Sequence, residues 1–430
     1  MGLRPMTAGS PAAGSTPSVP AFFGFHDRFP VRRAPRRSMT GMDEKRHWAE
    51  QYPWLGTAPL PTEPYVSEKY FALERERVFR RCWLNVGRIE DIPEAGDYFV
   101  REIDICGASV LVIRGTDGIV RGFHNVCSHR HYRLVPDGRG CRRTLRCPFH
   151  NWTYDSEGTL VHVPDEHKFH DFDKRNHGLT PVHTDTWEGF IFVHLGDNPA
   201  ANLREYLGGV ADRLDGCPFH EMKLFQSYRV EEQANWKVML DAQNELYHLP
   251  GQHRWTLGSA FAKNSSTGSR FREFTPYGHH NSWSGEYGLS QKLTPLKIVL
   301  FLNNDDTPEF PIDHQSGDME HFNLFPNMVL TLYRVGRSSS CITYNLWPVA
   351  VDRTIWEIRF YFREASSVRE RLQQEYFKCL IRETLQEDSA AHEEVHAGVA
   401  SRAKQHILLS DDEAPIRHFR KVLEHHIALR

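Results

Sequence analysis

Two short segments that each pair a cysteine with a histidine constrain this chain more than any other feature. They read Cys127-Ser-His129 and, after seventeen intervening residues, Cys147-Pro-Phe-His150. Thiolate and imidazole donors suit zinc or iron, and a gap of one or two residues lets both donors of a pair reach one site. The sequence therefore predicts two neighbouring loops that hold a metal centre.

The order of the donors indicates which centre this is. Structural zinc sites commonly pair cysteine with cysteine and histidine with histidine, whereas each loop here supplies one of each. A Rieske 2Fe-2S cluster requires that mixture, because two sulfurs bind one iron and two imidazoles bind the other. We predict such a cluster on Cys127, His129, Cys147 and His150; a zinc site and ordinary packing residues are the alternatives. The repeat Cys217-Pro-Phe-His220 has no matching Cys-x-His segment before it and is interpreted as a turn.

Together with Arg130, Trp152 and Tyr154, these loops resemble the cluster-binding loops of the Rieske non-haem iron oxygenases, specifically their large, catalytic subunit. One departure is His131, which stands where the family usually has glycine. The resemblance implies an α+β fold, in which an N-terminal antiparallel β Rieske domain precedes a C-terminal helix-grip (START-like) catalytic domain with mononuclear iron.

The chain divides into four predicted regions. Residues 1–45 are rich in Pro, Ser, Gly and Arg, and we interpret them as a disordered basic tail. A transit peptide and an over-extended start are the alternatives for this tail. A helical segment follows at residues 46–82, then the Rieske domain at 83–200 and the catalytic iron domain at 201–430.

The spacing of apolar residues separates helices from strands. An amphipathic helix is predicted over Ser67–Arg81, a long helix from about Ser367 to His396, and a last one near Ala414–Ile427. The middle of the second domain is predicted to be irregular. Short segments rich in Val, Ile and Phe predict antiparallel strands at Trp83–Val86, Tyr98–Ile103, Ser109–Ile113, Val120–Asn125, Gly189–Leu195, Phe225–Glu231, Leu324–Val335, Cys341–Trp347 and Ile355–Phe362.

A second metal site is predicted around His248 and His253. On a continuous helix, five residues separate two side chains by about 140 degrees, which is too far for one metal ion. Pro250 and Gly251 predict that a helix beginning at Asn235 ends near Leu249 and that the turn brings His253 back towards His248. Two imidazoles held in this way need one carboxylate to complete a facial triad for Fe(II).

Asp388 is the predicted carboxylate of this triad. It falls within an apolar stripe of the long C-terminal helix, where a buried charge needs a partner. Glu387 and Glu383 are rivals, and the family's third iron ligand resembles the Asp of a Glu-Asp pair in this helix. The stripe comprises Val368, Leu372, Tyr376, Leu380, Ile381, Leu385, Ala391 and Val395.

Glu245 precedes His248 by three residues, so both lie on nearly the same helical face. In many family members an Asp at this position links the iron-binding His to a Rieske His of the neighbouring subunit. Members with Glu there include enzymes that act on quaternary ammonium compounds. The resemblance implies catalytic roles for Glu245 and Asp388.

The net charge, the apolar runs and the cysteine content indicate which partners and which compartment to expect. A net charge of −3 disfavours a nucleic-acid partner, since such a site needs a concentrated basic face. We find no run of eighteen apolar residues and expect no membrane span. Eight cysteines, of which four lie apart outside the two motif regions, predict no disulfide framework and favour the cytoplasm.

The predicted function is that of a Rieske-type oxygenase that uses O2 and electrons from a reductase or ferredoxin, ultimately from NADH. The first choice of substrate is a hydrophobic aromatic or alicyclic compound, which is hydroxylated or dihydroxylated. Monooxygenation of a carnitine-like or betaine-like amine, or N- or O-demethylation, is second. We predict a pocket lined by Trp255, Leu257, Phe325 and Leu330.

The resemblance also implies a homotrimer, with or without small β subunits, because electrons pass between chains in this family. Two interpretations from other classes stay open at the level of sequence. One is an electron-transfer protein whose second domain has lost iron, and the other is a lipid-binding helix-grip module with a structural zinc.

Overall fold

The computed structural model describes residues 47–136, 138–257, 271–285, 319–335 and 338–429. The predicted basic tail, residues 1–45, and much of the predicted irregular middle lie outside them. The described residues combine antiparallel sheets with one long helix and several shorter ones, so the predicted α+β class is confirmed.

The first half of the described chain is an antiparallel β domain. Its strands β2 to β6, β10 and β11 form one sheet in the order β2-β11-β10-β5-β4-β3-β6, and β7-β8-β9 form a smaller one. The first Cys-His loop follows β5, and the second joins β7 to β8. The strands are β1 (Leu60–Pro61), β2 (Leu84–Arg88), β3 (Asp97–Ile103), β4 (Ala108–Arg114), β5 (Val120–His124), β6 (Arg139–Cys141), β7 (Thr144–Arg146), β8 (Thr153–Asp155), β9 (Leu160–His162), β10 (Pro181–Trp187) and β11 (Phe190–His194).

The second half is built on a single antiparallel sheet in the order β12-β18-β17-β16-β15-β14-β13. Part of the stretch predicted to be irregular is therefore sheet, because β13, β14 and β15 come from it. The short β1 pairs with β19 far along the chain. The strands are β12 (Met222–Glu232), β13 (Phe271–Tyr277), β14 (His280–Gly285), β15 (Met319–Leu324), β16 (Met328–Val335), β17 (Ser338–Ala350), β18 (Arg353–Arg363) and β19 (His406–Ile407).

The helices flank these sheets. None of those in the described residues has the length and apolar character that a bilayer-spanning segment requires. The α-helices are α1 (Trp48–Gln51), α2 (Glu68–Glu74), α3 (Leu203–Leu207), α4 (Gly209–Leu214), α5 (Trp236–Ala242), α6 (Leu249–Gln252), α7 (Val368–Ala400) and α8 (Ala414–Ala428). Short 3-10 turns lie at Pro53–Leu55, Glu63–Tyr65, Ile89–Asp91, Asp104–Cys106, Glu166–Lys168, Lys174–Asn176, Phe219–Glu221 and Asp411–Glu413.

The helix predicted over Ser67–Arg81 is shorter and less regular than expected. Ser67 caps α2 by accepting a hydrogen bond from the Tyr70 amide at 3.2 Å. After Glu74 the backbone widens into a π-helical turn. Glu74 is fully buried and forms an ion pair with buried Lys237 of α5 at 2.7 Å. This contact fixes the N-terminal segment against the helix that leads to the second predicted metal site.

The long helix α7 begins and ends within a few residues of its predicted bounds, and Ser367 caps it. The predicted apolar stripe is wrong at both ends, because Val368, Leu372 and Val395 are exposed. The buried face of α7 is largely polar, since it packs over a polar site that hydrophobic patterning does not detect. Its buried residues are Glu370, Gln373, Gln374, Phe377, Ile381, Thr384, Leu385, Asp388, His392 and His396.

Ion pairs hold the first domain against the second sheet. Arg101 on β3 pairs with Glu357 on β18 at 2.9 Å, and Arg359 on the same strand pairs with Asp91 at 2.9 Å. The neighbouring guanidinium groups outweigh the effect of burial and lower the pKa of Glu357 to about 2. Both carboxylates are therefore ionised at neutral pH, and the two domains are joined by a compact charge network.

Candidate functional site

The two Cys-His loops have the same backbone geometry. In each loop, the amide four residues after the cysteine donates to the cysteine carbonyl, at 3.0 Å from His131 to Cys127 and 2.9 Å from Asn151 to Cys147. His131 and Asn151 both have φ of 60°, in the left-handed region that favours glycine. The family usually has glycine at the position of His131, which suits this left-handed backbone conformation. In this chain a histidine adopts the same conformation.

The thiols of Cys127 and Cys147 are buried behind the loop tips. The Tyr154 hydroxyl lies 3.2 Å from the Cys127 sulfur and accepts a hydrogen bond from the Ser128 amide at 3.0 Å. Its hydroxyl hydrogen is therefore free to point at the sulfur. Burial raises the pKa of the Cys127 thiol, so this sulfur needs a bound cation if it is to be a thiolate.

The imidazoles of His129 and His150 lie together at the tips, with ring centroids 4.6 Å apart. Trp152 stacks on His129 at 4.9 Å and fixes its ring. The Nδ1 atom of His129 is buried and has no hydrogen-bond partner among the described residues. An orphaned ring nitrogen beside a second imidazole and two buried thiols fits the ligand set of a Rieske cluster.

The repeat Cys217-Pro-Phe-His220 has a different geometry. Cys217 is buried, whereas the side chain of His220 is exposed on the 3-10 turn Phe219–Glu221. Burial raises the pKa of the Cys217 thiol to about 12. The segment is a turn, in agreement with its interpretation from the sequence.

Three donor atoms converge at the second site. The Nε2 atoms of His248 and His253 lie 3.1 Å apart, and Asp388 Oδ1 lies 3.0 Å from His253 Nε2 and 3.6 Å from His248 Nε2. His253 and Asp388 are buried, and His248 is partly exposed. Two imidazoles and one carboxylate facing a common point form the donor set of a 2-His-1-carboxylate iron site.

The path of the chain through this site differs from the prediction. Helix α5 ends at Ala242 rather than near Leu249, and Pro250 lies in the first turn of the new helix α6 instead of ending the old one. Two short helices with an irregular link therefore orient His248 and His253 towards each other. The break in the helix therefore comes before His248 and not after it.

A carboxylate holds the Nδ1 atom of each imidazole. Glu245 bonds to Nδ1 of His248, and Glu387 lies 2.8 Å from Nδ1 of His253. When Nδ1 carries the ring proton and donates a hydrogen bond to a carboxylate, the Nε2 lone pair is left for a metal ion. Glu387 is thus placed behind the histidine and not among the converging donors.

Glu383, the other rival, is exposed and pairs with Arg382. The side chain of Asp388 is the α7 carboxylate that reaches the two Nε2 atoms. Burial opposes the ionisation of Asp388, but the nearby imidazoles of His253 and His248 outweigh this and lower its pKa. Asp388 is therefore negatively charged at neutral pH, as a ligand of a divalent cation must be.

A second contact anchors the part of α7 that carries Asp388. Glu232, at the end of β12, lies 2.8 Å from Nδ1 of His392 and accepts a hydrogen bond from Ser389 at 2.6 Å. Glu232 and His392 are both buried. Ser389, next to Asp388, and His392, one turn beyond it, are therefore fixed to strand β12 of the second sheet.

The cavity beside the triad has a different lining from the predicted one. Trp255 is 80% exposed, Phe325 and Leu330 are core residues, and none of the four predicted residues lines the cavity, so that prediction is wrong. The cause is the strand content of the middle region, which supplies the walls instead. The described lining consists of Ala242, Gln243, Glu245, Leu246, His248, Leu249, His253, Trp283, Met319, His321, Tyr333, Tyr344, Leu385 and Asp388.

Sequence reasoning missed His321, Trp283 and Tyr333 as cavity residues, and Glu387 as a support of His253. Alternation along Met319–Leu324 places Met319 and His321 on one face of a strand, which is a detectable signal. The partner of Glu387 lies 134 positions away in the sequence, so no local pattern could identify it.

Two family models match the chain. The Rieske [2Fe-2S] domain model covers residues 82–179, and the model of the ring hydroxylating alpha subunit (catalytic domain) covers residues 219–429. The matches follow one another in the order that the two sites have along the chain. The match to the Rieske domain model favours a 2Fe-2S cluster at the Cys-His loops over a structural zinc.

Curated relatives and solved structures agree with these models. The carnitine monooxygenase oxygenase subunit of Escherichia coli K12 is 29% identical over 292 residues, 63% of this chain and 76% of that protein. The glycine betaine monooxygenase oxygenase subunit of Chromohalobacter salexigens is 36% identical over 204 residues, 47% of this chain and 45% of that protein.

Among solved structures, a quaternary ammonium Rieske monooxygenase in complex with L-carnitine matches with a TM-score of 0.67 at 24% identity, covering 86% of this chain and 95% of that one. Naphthalene 1,2-dioxygenase from a Rhodococcus species matches with a TM-score of 0.69 at 21% identity, covering 88% and 96%. At these identities the two structures share the fold of this chain.

Proposed function

The chain belongs to the Rieske non-haem iron oxygenases as a catalytic alpha subunit, and we propose that it oxidises a small substrate carrying a trimethylammonium group. As a member of this family it uses a 2Fe-2S cluster, a mononuclear iron and O2, with electrons from NADH through a reductase. The cluster stores single electrons, and the iron activates O2 beside the substrate.

The observation that carries the choice of substrate is the wall of aromatic rings beside the triad. Trp283, Tyr333 and Tyr344 line the cavity together with Glu245. Aromatic faces attract quaternary ammonium groups through the ring quadrupole, most strongly where water is excluded. The carnitine and glycine betaine monooxygenases among the relatives act on compounds of this kind.

The test is a comparison of two compounds of equal shape. A trimethylammonium substrate and its neutral analogue, with carbon in place of nitrogen, are supplied to the enzyme with reductase, NADH and O2. Hydroxylation of a carbon bonded to nitrogen gives a carbinol that breaks its C–N bond, which releases an amine and an aldehyde. We expect this product from the cation and at least ten times slower turnover of the analogue. Equal turnover of both compounds would contradict the proposal.

An arene or alicyclic substrate is the second candidate. Leu246, Leu249 and Leu385 give the cavity an apolar side, which would accept a neutral ring. Another relative, a 2-aminobenzenesulfonate 2,3-dioxygenase alpha subunit, is 29% identical over 327 residues. Formation of a cis-diol from naphthalene, with no aldehyde from the ammonium compound, would favour this candidate.

We assign the ligands residue by residue. Cys127 and Cys147 would bind one iron of the cluster, and His129 and His150 the other. His248, His253 and Asp388 would bind the mononuclear iron. The support is the pair of matching loops with buried thiols, the orphaned Nδ1 of His129, and the three donor atoms that converge within 4.8 Å of one another.

Glu245 is proposed to connect the two centres of neighbouring chains. It bonds to Nδ1 of His248 and accepts a hydrogen bond from the amide of Tyr247, a residue that is 73% exposed. The cluster loops present exposed Tyr132 and Phe149. A head-to-tail homotrimer would bring one chain's loops against the next chain's Glu245, and measurement of the mass of the active assembly tests this.

The same measurement decides whether small β subunits belong to the assembly. The direct electron donor, a reductase or a ferredoxin, is identified by which of them reduces the cluster. We place the protein in the cytoplasm, since none of the eight cysteines forms a disulfide and six of them are buried.

A further inference from the structure

One polar side chain among the aromatic walls of the cavity has no role in holding iron. His321 lies on β15, directly across from Trp283 on β14 and from Thr331 on β16. Its ring stacks on Trp283 with centroids 4.6 Å apart and an interplanar angle of 24°. Its Nδ1 atom lies 3.0 Å from the Thr331 hydroxyl oxygen. Contacts on both sides therefore fix the orientation of the ring.

The other ring nitrogen has no protein partner within the described part of the chain. His321 is only 2% exposed, its Nε2 atom is buried, and the residue lines the cavity that contains the triad. A buried polar atom without a partner destabilises the folded state, and such atoms are rare unless a ligand or water completes them. A fixed polar group in an apolar pocket is typical of a group that orients a ligand.

The hydrogen-bond partners indicate which kind of group Nε2 is. Thr331 is fully buried, and Nδ1 of His321 is the acceptor within reach of its hydroxyl. We assign the hydroxyl as the donor to Nδ1, and in this tautomer the ring proton lies on Nε2. Burial lowers the pKa of His321 to about 3, so the ring is neutral. Nε2–H is thus an uncharged, unpartnered donor on a residue that lines the cavity.

We propose that His321 determines substrate specificity by donating a hydrogen bond from Nε2 to an oxygen of the substrate. The preferred substrate would carry an acceptor, such as a carboxylate or carbonyl oxygen, on the side away from the carbon that is oxidised. This inference rests on the proposed function, since it assigns a second recognition element to the same cavity. The aromatic rings would hold the ammonium group, and the neighbouring His321 would hold the acceptor oxygen.

Two matched pairs of compounds test the proposal. One pair is a trimethylammonium carboxylate and a trimethylalkylammonium ion of equal length, and the other is an aryl carboxylate and the corresponding methyl arene. The value of kcat/KM is measured for each compound with the holoenzyme, reductase, NADH and O2. Within the pair that the wild-type enzyme turns over, we expect kcat/KM to be about 10- to 100-fold higher for the compound that carries the acceptor.

Variants separate the hydrogen bond from the shape of the side chain. His321→Leu removes the donor, and we expect the preference to fall to about one. His321→Gln keeps an N–H donor and should retain part of the preference. Thr331→Val removes the hydroxyl that fixes the ring and should reduce the preference less than His321→Leu does. Cluster absorbance and iron content show that each variant is folded and loaded.

The outcomes for the two proposals are distinguishable. Turnover of the aryl pair alone would overturn the trimethylammonium assignment, while the ratio within that pair would still test His321. An unchanged ratio in His321→Leu, or the lack of any preference in the wild-type enzyme, would overturn the role of His321. If His321→Leu loses its cluster or iron, His321→Gln and Thr331→Val are compared with the wild-type enzyme instead. The same ratio of kcat/KM values in all three proteins would overturn the role of His321.

Discussion

The two candidate metal sites are built in opposite ways. The cluster loops take all four donors from 24 consecutive residues, at the tips of a β domain, with both histidines partly exposed. The triad joins two segments of the chain that are 135 residues apart, and it is buried beneath a long helix. A local site depends on the geometry of its own turns. A dispersed site depends on every contact that holds α7 over α5 and α6.

If the two sites are independent, a substitution that abolishes metal binding at one site should leave metal binding at the other unchanged. We predict that Asp388→Ala and Cys147→Ala each reduce turnover by at least about a thousandfold, since each removes a ligand of an essential metal. Asp388→Ala should keep the visible spectrum of the cluster and lose mononuclear iron, and Cys147→Ala should do the reverse. Glu383→Ala, at an exposed position of the same helix, is the control and should keep both. Loss of both centres in either variant would show that the sites are coupled through folding.

Glu245 sharpens the comparison, because it holds Nδ1 of the triad residue His248 and is also proposed to serve the cluster. Glu245→Gln should slow single-turnover oxidation of a pre-reduced cluster by about 10- to 100-fold. Glu245→Asp, which keeps the carboxylate, should be much less affected. If Glu245 only supports His248, the iron content would fall while the rate per bound iron would stay the same.

Glu387 provides the matched case for a purely structural carboxylate. It fixes Nδ1 of His253 and also accepts a hydrogen bond from Thr256 at 2.7 Å. Glu387→Gln should weaken iron binding about tenfold, because the amide presents an N–H to the ring as easily as an oxygen. Iron titration monitored by activity measures this, and Glu387→Gln should leave the reoxidation rate of the cluster per bound iron unchanged. A fall in that rate would give Glu387 the role proposed for Glu245.

The difference between the sites also explains how much could be predicted. The four proposed cluster residues can be predicted from the type and spacing of their side chains, because a hairpin tip determines its own side-chain directions. For His248, His253 and Asp388 the prediction uses a family resemblance, and the helix predicted to lead to His248 ends earlier than expected. Ala242 ends that helix for reasons of tertiary packing, and the buried face of α7 is polar. Hydrophobic periodicity cannot detect a polar interior.

Acid should affect the catalytic domain strongly. His280, His418 and His426 are buried there, and burial lowers their pKa values to about 4, 3 and 3. A histidine with a folded-state pKa below its unfolded value of about 6.5 stabilises the fold at high pH and loses this contribution as pH falls below 6.5. The free energy of unfolding should decrease by up to about 1.4 kcal/mol per pH unit for each such histidine between pH 6 and 4. His418→Gln should reduce the number of protons taken up on unfolding by one, and with it the dependence of the unfolding free energy on pH. Denaturant titrations across this pH range measure this dependence.

The smallest predicted effect concerns the two matching cluster loops. His131 and Asn151 share a φ of 60°, and asparagine tolerates this region better than most residues. His131→Gly should therefore stabilise its loop by about 0.5–1 kcal/mol, and Asn151→Gly should stabilise its own by less. The temperature at which the visible absorbance of the cluster is lost measures both. If His131→Gly instead lowers that temperature, the exposed imidazole must contribute more through contacts at the loop surface than its backbone conformation costs, and the two loops would then be equivalent in geometry only.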